Sequence, residues 1–233
     1  MATAPEDGID ETAAEPAEEG EVRLAQTEAD LSAVGRLVAL SDGVVAIAIT
    51  LLALELPVPR AGSATAMLHD MGHHLTAYYA FFISFAVIAA HWTDHHMVFR
   101  WDRRLGGHVQ SLNMLWLMFL VLTPYLTRLL AEGGGAGFVL RFELYALAQA
   151  IVGVLFAAMI REMRRNDLFR RCTPQDAMRA EQRDFVVMAS IFVISIPLAL
   201  VAGQWTYLVW LAIPLTFRIW GGRKPQGHPG HMA

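Results

Sequence analysis

An aspartate within an apolar stretch near the start of the chain is the first residue whose type suggests chemistry. Asp42 follows Arg36 and Ser41 within residues 36–55, where most of the other side chains are aliphatic. An ionised carboxylate in such a segment is costly unless a partner or water compensates it. Asp42 could hold an ion or a proton, or it could pair internally and fix its helix. The nearby Arg36 favours the structural role.

A second polar group contains two histidines. His91 and His95 are four residues apart with Asp94 beside them, so both rings share one helix face, a spacing that can bind Zn²⁺. The glutamate of an HExxH site is absent because position 92 is Trp, and Cys172 is the single cysteine. We therefore prefer hydrogen-bonded histidines to a metal site, and we predict no resident metal or cofactor.

Membrane helices must position these residues. The chain has 233 residues, of which 55% are hydrophobic and 17% are charged. Besides residues 36–55 it contains four uncharged runs, at 71–90, 109–127, 144–160 and 185–217, and the last is long enough for two short spans. A span needs ~20 largely apolar residues, and helices satisfy their own backbone groups in lipid. We predict an all-α membrane protein with six transmembrane helices, near 33–56, 65 or 74 to 99, 107–130, 138–164, 182–201 and 205–220, with bends near Pro124, Pro197 and Pro214.

Charge divides the chain into three parts. An acidic leader (residues 1–33) is predicted to be disordered, since residues 1–30 carry ten acids and one base with few large apolar side chains. The membrane domain follows at 34–220, and a Gly/Pro/His-rich tail at 221–233 is also predicted to be disordered. With the N-terminus inside, 15 of the 18 basic residues lie in inner segments and three in outer ones. This distribution predicts a multi-pass protein of the bacterial inner (plasma) membrane with both termini cytoplasmic.

The first helix has two different faces. Ile47, Leu51 and Leu54 fall within about 60° of one another, Thr50 borders them, and Asp42 points about 140° away from Ile47. The aliphatic stripe could line a pore, or it could be an ordinary packing surface. Its spacing alone does not distinguish these two interpretations.

Signatures of the common enzyme classes are missing. The sequence contains no nucleophile elbow, P-loop or dinucleotide fingerprint, so we predict that the chain is not an enzyme. It also lacks a TVGYG-type filter, which excludes a carbonyl-lined potassium pathway. No nucleic-acid partner is expected.

Three motifs resemble those of the prokaryotic transmembrane-protein-175 potassium channels. The first joins Arg36 to the run Leu40-Ser41-Asp42-Gly43 and continues through Ile-Thr-Leu-Leu-x-Leu-Glu-Leu, which ends at residue 56. The second is Trp92-xx-His95-His96-xx-Phe99, and the third is Asn113 with Pro124-Tyr125. The family pattern has Phe where this chain has Leu40. The resemblance extends in order over residues 34–220.

The resemblance implies a homotetramer of six-helix subunits in which four copies of helix 1 surround the pore. The first pore layer would be Ile47, followed by Leu51 and Leu54, with Thr50 near the constriction. The motif residues of helix 1 would tie it to helices 2 and 3; this set comprises Arg36, Ser41, Asp42, His91, Trp92 and Asn113. The family passes K⁺ in preference to Na⁺, so the expected partners are K⁺ ions, the lipid bilayer and further copies of the chain.

The sequence therefore predicts a passive potassium-selective channel with a hydrophobic constriction formed by helix 1. One alternative is a proton-coupled carrier, or a proton-permeable channel, that uses Asp42 and His91. Another is a membrane metalloprotein, enzyme or sensor that uses His91 and His95.

Overall fold

The computed structural model describes residues 15–59, 62–132, 135, 137–206 and 208–210, and most of these residues are in helices. Seven α-helices occur in these ranges: α1 (Glu15–Leu54), α2 (Ala64–His73), α3 (Leu75–Phe99), α4 (Val109–Val121), α5 (Thr123–Ala131), α6 (Phe138–Arg165) and α7 (Gln175–Ala202). A short 3-10 turn, Gly203–Thr206, follows α7. The same ranges contain no β-strand, only an isolated bridge between Asp102 and Phe169.

Five segments are long and apolar enough to cross a membrane: α1, α3, α4 together with α5, α6, and α7. The prediction of an all-α membrane protein is confirmed at this level. The predicted sixth span, at 205–220, lies mostly outside the described residues, and the predicted tail at 221–233 lies entirely outside them.

Helix α1 is much longer than a membrane span. Its 40 residues correspond to about 60 Å at about 1.5 Å per residue, twice the ~30 Å thickness of the hydrocarbon core. The structure places residues 15–33 in this helix, where composition predicted a disordered leader. Ala and Glu are good helix formers, and extending an existing helix avoids the cost of nucleation. Residues 1–14 of that leader lie outside the described residues.

The second predicted helix is two helices in the structure. α2 starts after Ser63, whose hydroxyl accepts the amide of Ala66 at 3.2 Å, and none of its residues is buried. His74 separates it from α3, which has nine buried residues. The sequence allows two possible starts for the second helix, near residue 65 and near residue 74. In the structure these positions lie close to the starts of α2 and α3.

Near Pro124, where a bend was predicted, the structure has two helices, α4 and α5, which are separated at Leu122. Proline has no amide hydrogen to continue the helical ladder, and its ring clashes with the preceding turn. The hydroxyl of Thr127 donates to the carbonyl of Thr123 at 2.7 Å. This bond satisfies one polar backbone group close to the break.

Helix α6 forms the centre of the bundle and is the most deeply buried of the five spans. It packs against α4, α5 and α7. A Cβ on Gly153 would lie 3.2 Å from the Cβ of Ala189 and 3.3 Å from the carbonyl oxygen of Phe185, so the glycine permits close approach of α6 and α7. By contrast, α1 packs against α3, α4 and α5, at the edge of the bundle.

The loops that follow α3 and α6 meet at a short antiparallel contact. The amide of Arg103 donates to the carbonyl of Leu168, and the amide of Arg170 donates to that of Trp101, both at 2.9 Å. Asp102 lies within this contact with only 1% of its surface exposed. Burial raises the pKa of its carboxyl from 3.8 to about 7, and the amides of Arg104 and Arg103 oppose the shift.

Asp102 predicts a pH-dependent stability. The folded protein keeps this proton up to pH about 7, whereas the unfolded chain releases it near 3.8, so stability falls as the pH rises between these values. Asp102→Asn should remove this dependence and raise the melting temperature at neutral pH. Thermal unfolding in detergent across this pH range measures the effect.

Asp167→Asn is the matched control, because Asp167 is an exposed carboxylate in the adjoining loop. Its φ of 48° is one that asparagine also adopts readily. The control should follow the pH profile of the parent protein. If the melting temperature of Asp102→Asn fell with pH in parallel with that of the parent, Asp102 would not be the source of the pH dependence.

Candidate ion path and its hydrogen-bonded support

The membrane part of α1 has one buried and one exposed face. Six of its buried residues recur every three or four positions and face the bundle: Val34, Leu37, Ser41, Val45, Ala48 and Leu52. Ile47, Leu51 and Leu54 are 60%, 39% and 78% exposed, and Leu40, which is 50% exposed, extends the same stripe. The predicted stripe therefore lies on a surface that no described residue of the chain covers. Large apolar side chains on such a face indicate a contact with lipid or with another subunit.

Thr50 lies on this exposed face beside the stripe. Its hydroxyl donates to the carbonyl of Ile47 at 2.9 Å, one turn earlier in the helix. Because the hydroxyl hydrogen is used by the backbone, the oxygen lone pairs remain as acceptors. An acceptor on an otherwise aliphatic face is a suitable group for contact with a cation.

The carboxylate of Asp42 joins α1 to α3. One carboxylate oxygen, Oδ1, accepts a hydrogen bond from the indole N–H of Trp92 at 3.0 Å. The same oxygen is hydrogen-bonded to Nε2 of His96 at 2.7 Å. Trp92 and His96 are one helical turn apart on α3, and their rings meet edge to face at 4.9 Å. His96 was not among the predicted site residues, although it belongs to the second sequence motif, Trp92-xx-His95-His96.

Ser41 begins a second and more deeply buried link. Its hydroxyl donates to the carbonyl of Leu37 at 2.9 Å and accepts the amide N–H of Asn113 at 3.0 Å. The Asn113 Oδ1 is 3.0 Å from Nε2 of His95. Since Ser41, Asn113 and His95 are each at most 1% exposed, these bonds join α1, α4 and α3 inside the bundle. They satisfy groups whose burial would otherwise be costly.

His91 lies apart from both links. Its ring is 1% exposed and stacks on Phe185 of α7 with centroids 5.4 Å apart. In the described part of the chain neither ring nitrogen has a hydrogen-bond partner. The predicted grouping of His91 with Asp42 differs from the structure, where His95 and His96, four and five residues after His91, make the polar contacts. The cause is the direction of each side chain around α3, which the motif spacing did not specify.

Arg36 also lies outside the network around Asp42. It is on the exposed face, and its Nη1 donates to the hydroxyl of Ser32 at 2.9 Å. The internal ion pair with Asp42 that we considered from the sequence is replaced by the bonds from Trp92 and His96. Asp42 is six positions after Arg36, so the two side chains point about 120° apart around α1.

The far end of α1 has its own attachments. Glu55 forms an ion pair with Arg128 of α5, with Oε2 and Nε 3.6 Å apart. The hydroxyl of Tyr78 on α3 donates to the carbonyl of Pro57 at 3.3 Å. Polar contacts thus hold α1 and the residues after it to neighbouring helices on either side of the exposed stripe.

The histidine pair shows no sign of a metal centre. The described ranges contain no group of three or more His, Cys, Asp or Glu side chains placed to hold an ion. His95 instead stacks between Trp116, at 5.0 Å, and Phe99, at 4.3 Å, in an aromatic environment. This arrangement favours packing and hydrogen bonding as the role of His95.

The fold and the site define a helical, multi-span membrane protein whose first helix is anchored by polar side chains and carries an uncovered apolar stripe. A family model described as "Endosomal/lysosomal potassium channel TMEM175" matches residues 36–124, which include α1's motif and both of its partner helices. A potassium channel of Chamaesiphon minutus is 30% identical over 192 residues, which are 80% of this chain and 91% of that protein. The chain therefore belongs to the TMEM175 family of potassium channels.

Two further comparisons agree with this assignment. A potassium channel of Streptomyces collinus is 43% identical over 98 residues, so the match spans 42% of this chain and about half (48%) of that relative. The crystal structure of a lysosomal potassium-selective channel TMEM175 homolog from Chamaesiphon minutus superposes with a TM-score of 0.68 at 25% identity. That match covers 81% of this chain and 97% of the other. The predicted family is confirmed, and because it is a family of ion channels, so is the prediction that the chain is not an enzyme.

The buried network predicts a stability defect in Asn113→Ala. This change leaves the Ser41 hydroxyl without its donor and His95 without its acceptor, at a cost of about 2–4 kcal/mol. Gln110→Ala is the control, because Gln110 is an exposed amide on the same helix. Thermal unfolding in detergent should show a clearly lower melting temperature for Asn113→Ala and an unchanged one for Gln110→Ala. Equal melting temperatures for the two variants would mean that the network does not hold α1.

Proposed function

We propose that the chain is the subunit of a potassium-selective channel, in which α1 from four copies surrounds a central ion path in the bacterial inner membrane. The observation that carries the proposal is the exposed stripe of Ile47, Leu51 and Leu54, with polar contacts to neighbouring helices before it at Asp42 and after it at Glu55. Four such stripes facing one axis would cover the apolar surface that a single subunit leaves open. The membership of the chain in a potassium-channel family supports this arrangement.

The stripe would form successive layers along the pore. Ile47 and Leu51 are one turn apart, about 6 Å along the axis, and Leu54 follows about 4.5 Å later. A ring of four branched aliphatic side chains forms a narrow, poorly wetted constriction. An ion must shed part of its hydration shell to pass, and this favours K⁺ over the more tightly hydrated Na⁺. Conduction would be passive, down the electrochemical gradient.

Thr50 would provide the polar contact of the constriction. It lies between the layers on the same face, and its hydroxyl hydrogen is engaged by the carbonyl of Ile47. Four hydroxyl oxygens near the axis could replace part of the water that an ion loses. Thr50 would thereby lower the cost of dehydration without forming a tight binding site.

Asp42 would act as an anchor and not as a permeation site. Its carboxylate is bound by Trp92 and His96 of the same subunit and points away from the Ile47 face. These bonds would fix the rotation of α1, which decides which side chains meet at the axis. The second network, Ser41 with Asn113 and His95, would set the same rotation from the α4 side.

A proton-coupled carrier based on Asp42 and His91 receives less support. The two side chains have separate environments, since Asp42 is bound by Trp92 and His96 whereas His91 stacks against Phe185. The electrical behaviour distinguishes the two functions. A channel gives large diffusive K⁺ currents, whereas a carrier gives slow, saturable fluxes that depend on pH.

Both termini are proposed to be cytoplasmic, because the connections after α3 and α6 are rich in arginine and a sixth span at 205–220 would return the chain to that side. In this orientation the acidic first part of α1 would extend into the cytoplasm, on the same side as Arg103 and Arg170. Four such helices would place acidic side chains around the inner mouth of the pore.

Ile47→Asn tests the constriction. The amide should wet and widen the layer, lowering the K⁺/Na⁺ permeability ratio several-fold as measured by reversal potentials in bilayers. Ile194→Asn is the control, because Ile194 is 66% exposed and lies on α7, which packs mainly against α6. Its permeability ratio should equal that of the parent. Unchanged reversal potentials for Ile47→Asn would remove Ile47 from the selectivity role.

A further inference from the structure

A cavity of about 420 Å³ lies between the last turns of α6 and the first turns of α7 and is lined by Arg161, Arg164, Arg165 and Gln182. The three arginines follow the i, i+3, i+4 spacing that places side chains on one face of a helix. A volume of this size is sufficient for a small ligand or a headgroup. The channel function assigns no role to this cavity.

Arg164 is held in place but is not fully satisfied. Its Nη1 donates to the side-chain oxygen of Gln182 at 2.8 Å. Its Nε is buried and, in the described part of the chain, has no hydrogen-bond partner. A buried donor on a cation is costly to leave unpaired, so an anionic oxygen at this point would be stabilising.

Two acids that lie near the cavity in the sequence have partners outside it. Glu162 contacts His108, with Nδ1 and Oε1 3.4 Å apart, and Asp184 pairs with Arg183 at 3.4 Å. Among the described residues, no carboxylate forms an ion pair with the two exposed arginines of the cavity, Arg161 and Arg165. Three guanidinium groups in two helical turns repel one another, and a bound anion would relieve that repulsion.

The surfaces beside the cavity are apolar. Seven and fourteen residues before Arg161, on the same face of α6, Val154 and Leu147 are 56% and 49% exposed. On α7, Val186 lies one turn after Gln182 and is 48% exposed. An exposed apolar surface that leads to a cluster of arginines matches the chemistry of a phospholipid, whose phosphate is anionic and whose chains are apolar.

From these contacts we propose that the cavity binds the phosphate group of an anionic phospholipid in the adjoining leaflet, with its acyl chains along the exposed faces of α6 and α7. Arg161 and Arg165 provide charge, and Arg164, positioned by Gln182, provides the directed donors. A basic pocket at the membrane end of two helices is well placed for such a lipid, because each arginine near an anionic surface adds to the attraction.

The test compares lipid retention by three forms of the full-length protein. Purified protein is exchanged into detergent with equal amounts of phosphatidylglycerol and phosphatidylcholine, and bound lipid is counted by native mass spectrometry. The parent should retain phosphatidylglycerol preferentially. Arg161→Gln with Arg165→Gln should lower that preference about tenfold, because two charges leave the site. Both side chains are exposed, and the bond between Arg164 and Gln182 remains.

Arg170→Gln with Arg171→Gln is the matched control. These exposed arginines lie in the same basic connection, and neither lines the cavity. The control should keep the preference of the parent. An equal loss in both double variants would overturn the proposal, because the effect would then come from the overall positive charge of the connection. No preference for phosphatidylglycerol in the parent would overturn it as well.

A second arm distinguishes a lipid from a soluble anion. Inorganic phosphate is added at constant ionic strength, with chloride in the reference sample. Phosphatidylglycerol should stay bound, because its chains contribute contacts that the free ion lacks. Complete displacement by inorganic phosphate, at the concentration where chloride has no effect, would overturn the lipid assignment in favour of a soluble phosphate.

Discussion

The orientation of α1 depends on the hydrogen bonds that one carboxylate in this helix, that of Asp42, requires. Asp42 lies in an apolar helix where an unpaired charge is costly, and Trp92 and His96 supply two donors from α3. Those donors can reach the carboxylate at only one rotation of α1. The buried bond between Asn113 and Ser41 imposes the same rotation from α4. The helix therefore cannot turn its apolar stripe inward without breaking these contacts.

This constraint explains how one helix can be both anchored and exposed. The side that carries Val45 and Leu52 is buried against the bundle, while Ile47 and Leu54 remain on the open side. The contacts on either side of the stripe, at Asp42 and at the Glu55–Arg128 ion pair, restrict the tilt of α1 as well as its rotation. A constriction made of aliphatic side chains requires such precision, because it has no directed bonds of its own.

Much of this arrangement could be predicted from the sequence, because periodicity and motif order constrain it strongly. The helical class, the break near Pro124, the stripe at Ile47 and the pairing of Ser41 with Asn113 through neighbouring helices follow from spacing or from the family resemblance. The choice among His91, His95 and His96 could not be predicted, since it depends on how α3 is rotated against Asp42. The helical state of residues 15–33 was also missed, because their composition resembles that of a disordered segment.

The most direct test of the account is whether α1 lines the ion path. In a Cys172→Ser background, Leu54→Cys and Leu200→Cys place a thiol at similarly exposed positions of α1 and α7. A cationic methanethiosulfonate reagent is applied while K⁺ current is recorded from the purified protein in bilayers. The account predicts that the current falls in Leu54→Cys and stays constant in Leu200→Cys. Full labelling of the Leu54→Cys thiol, seen by mass spectrometry, with an unchanged current would contradict it.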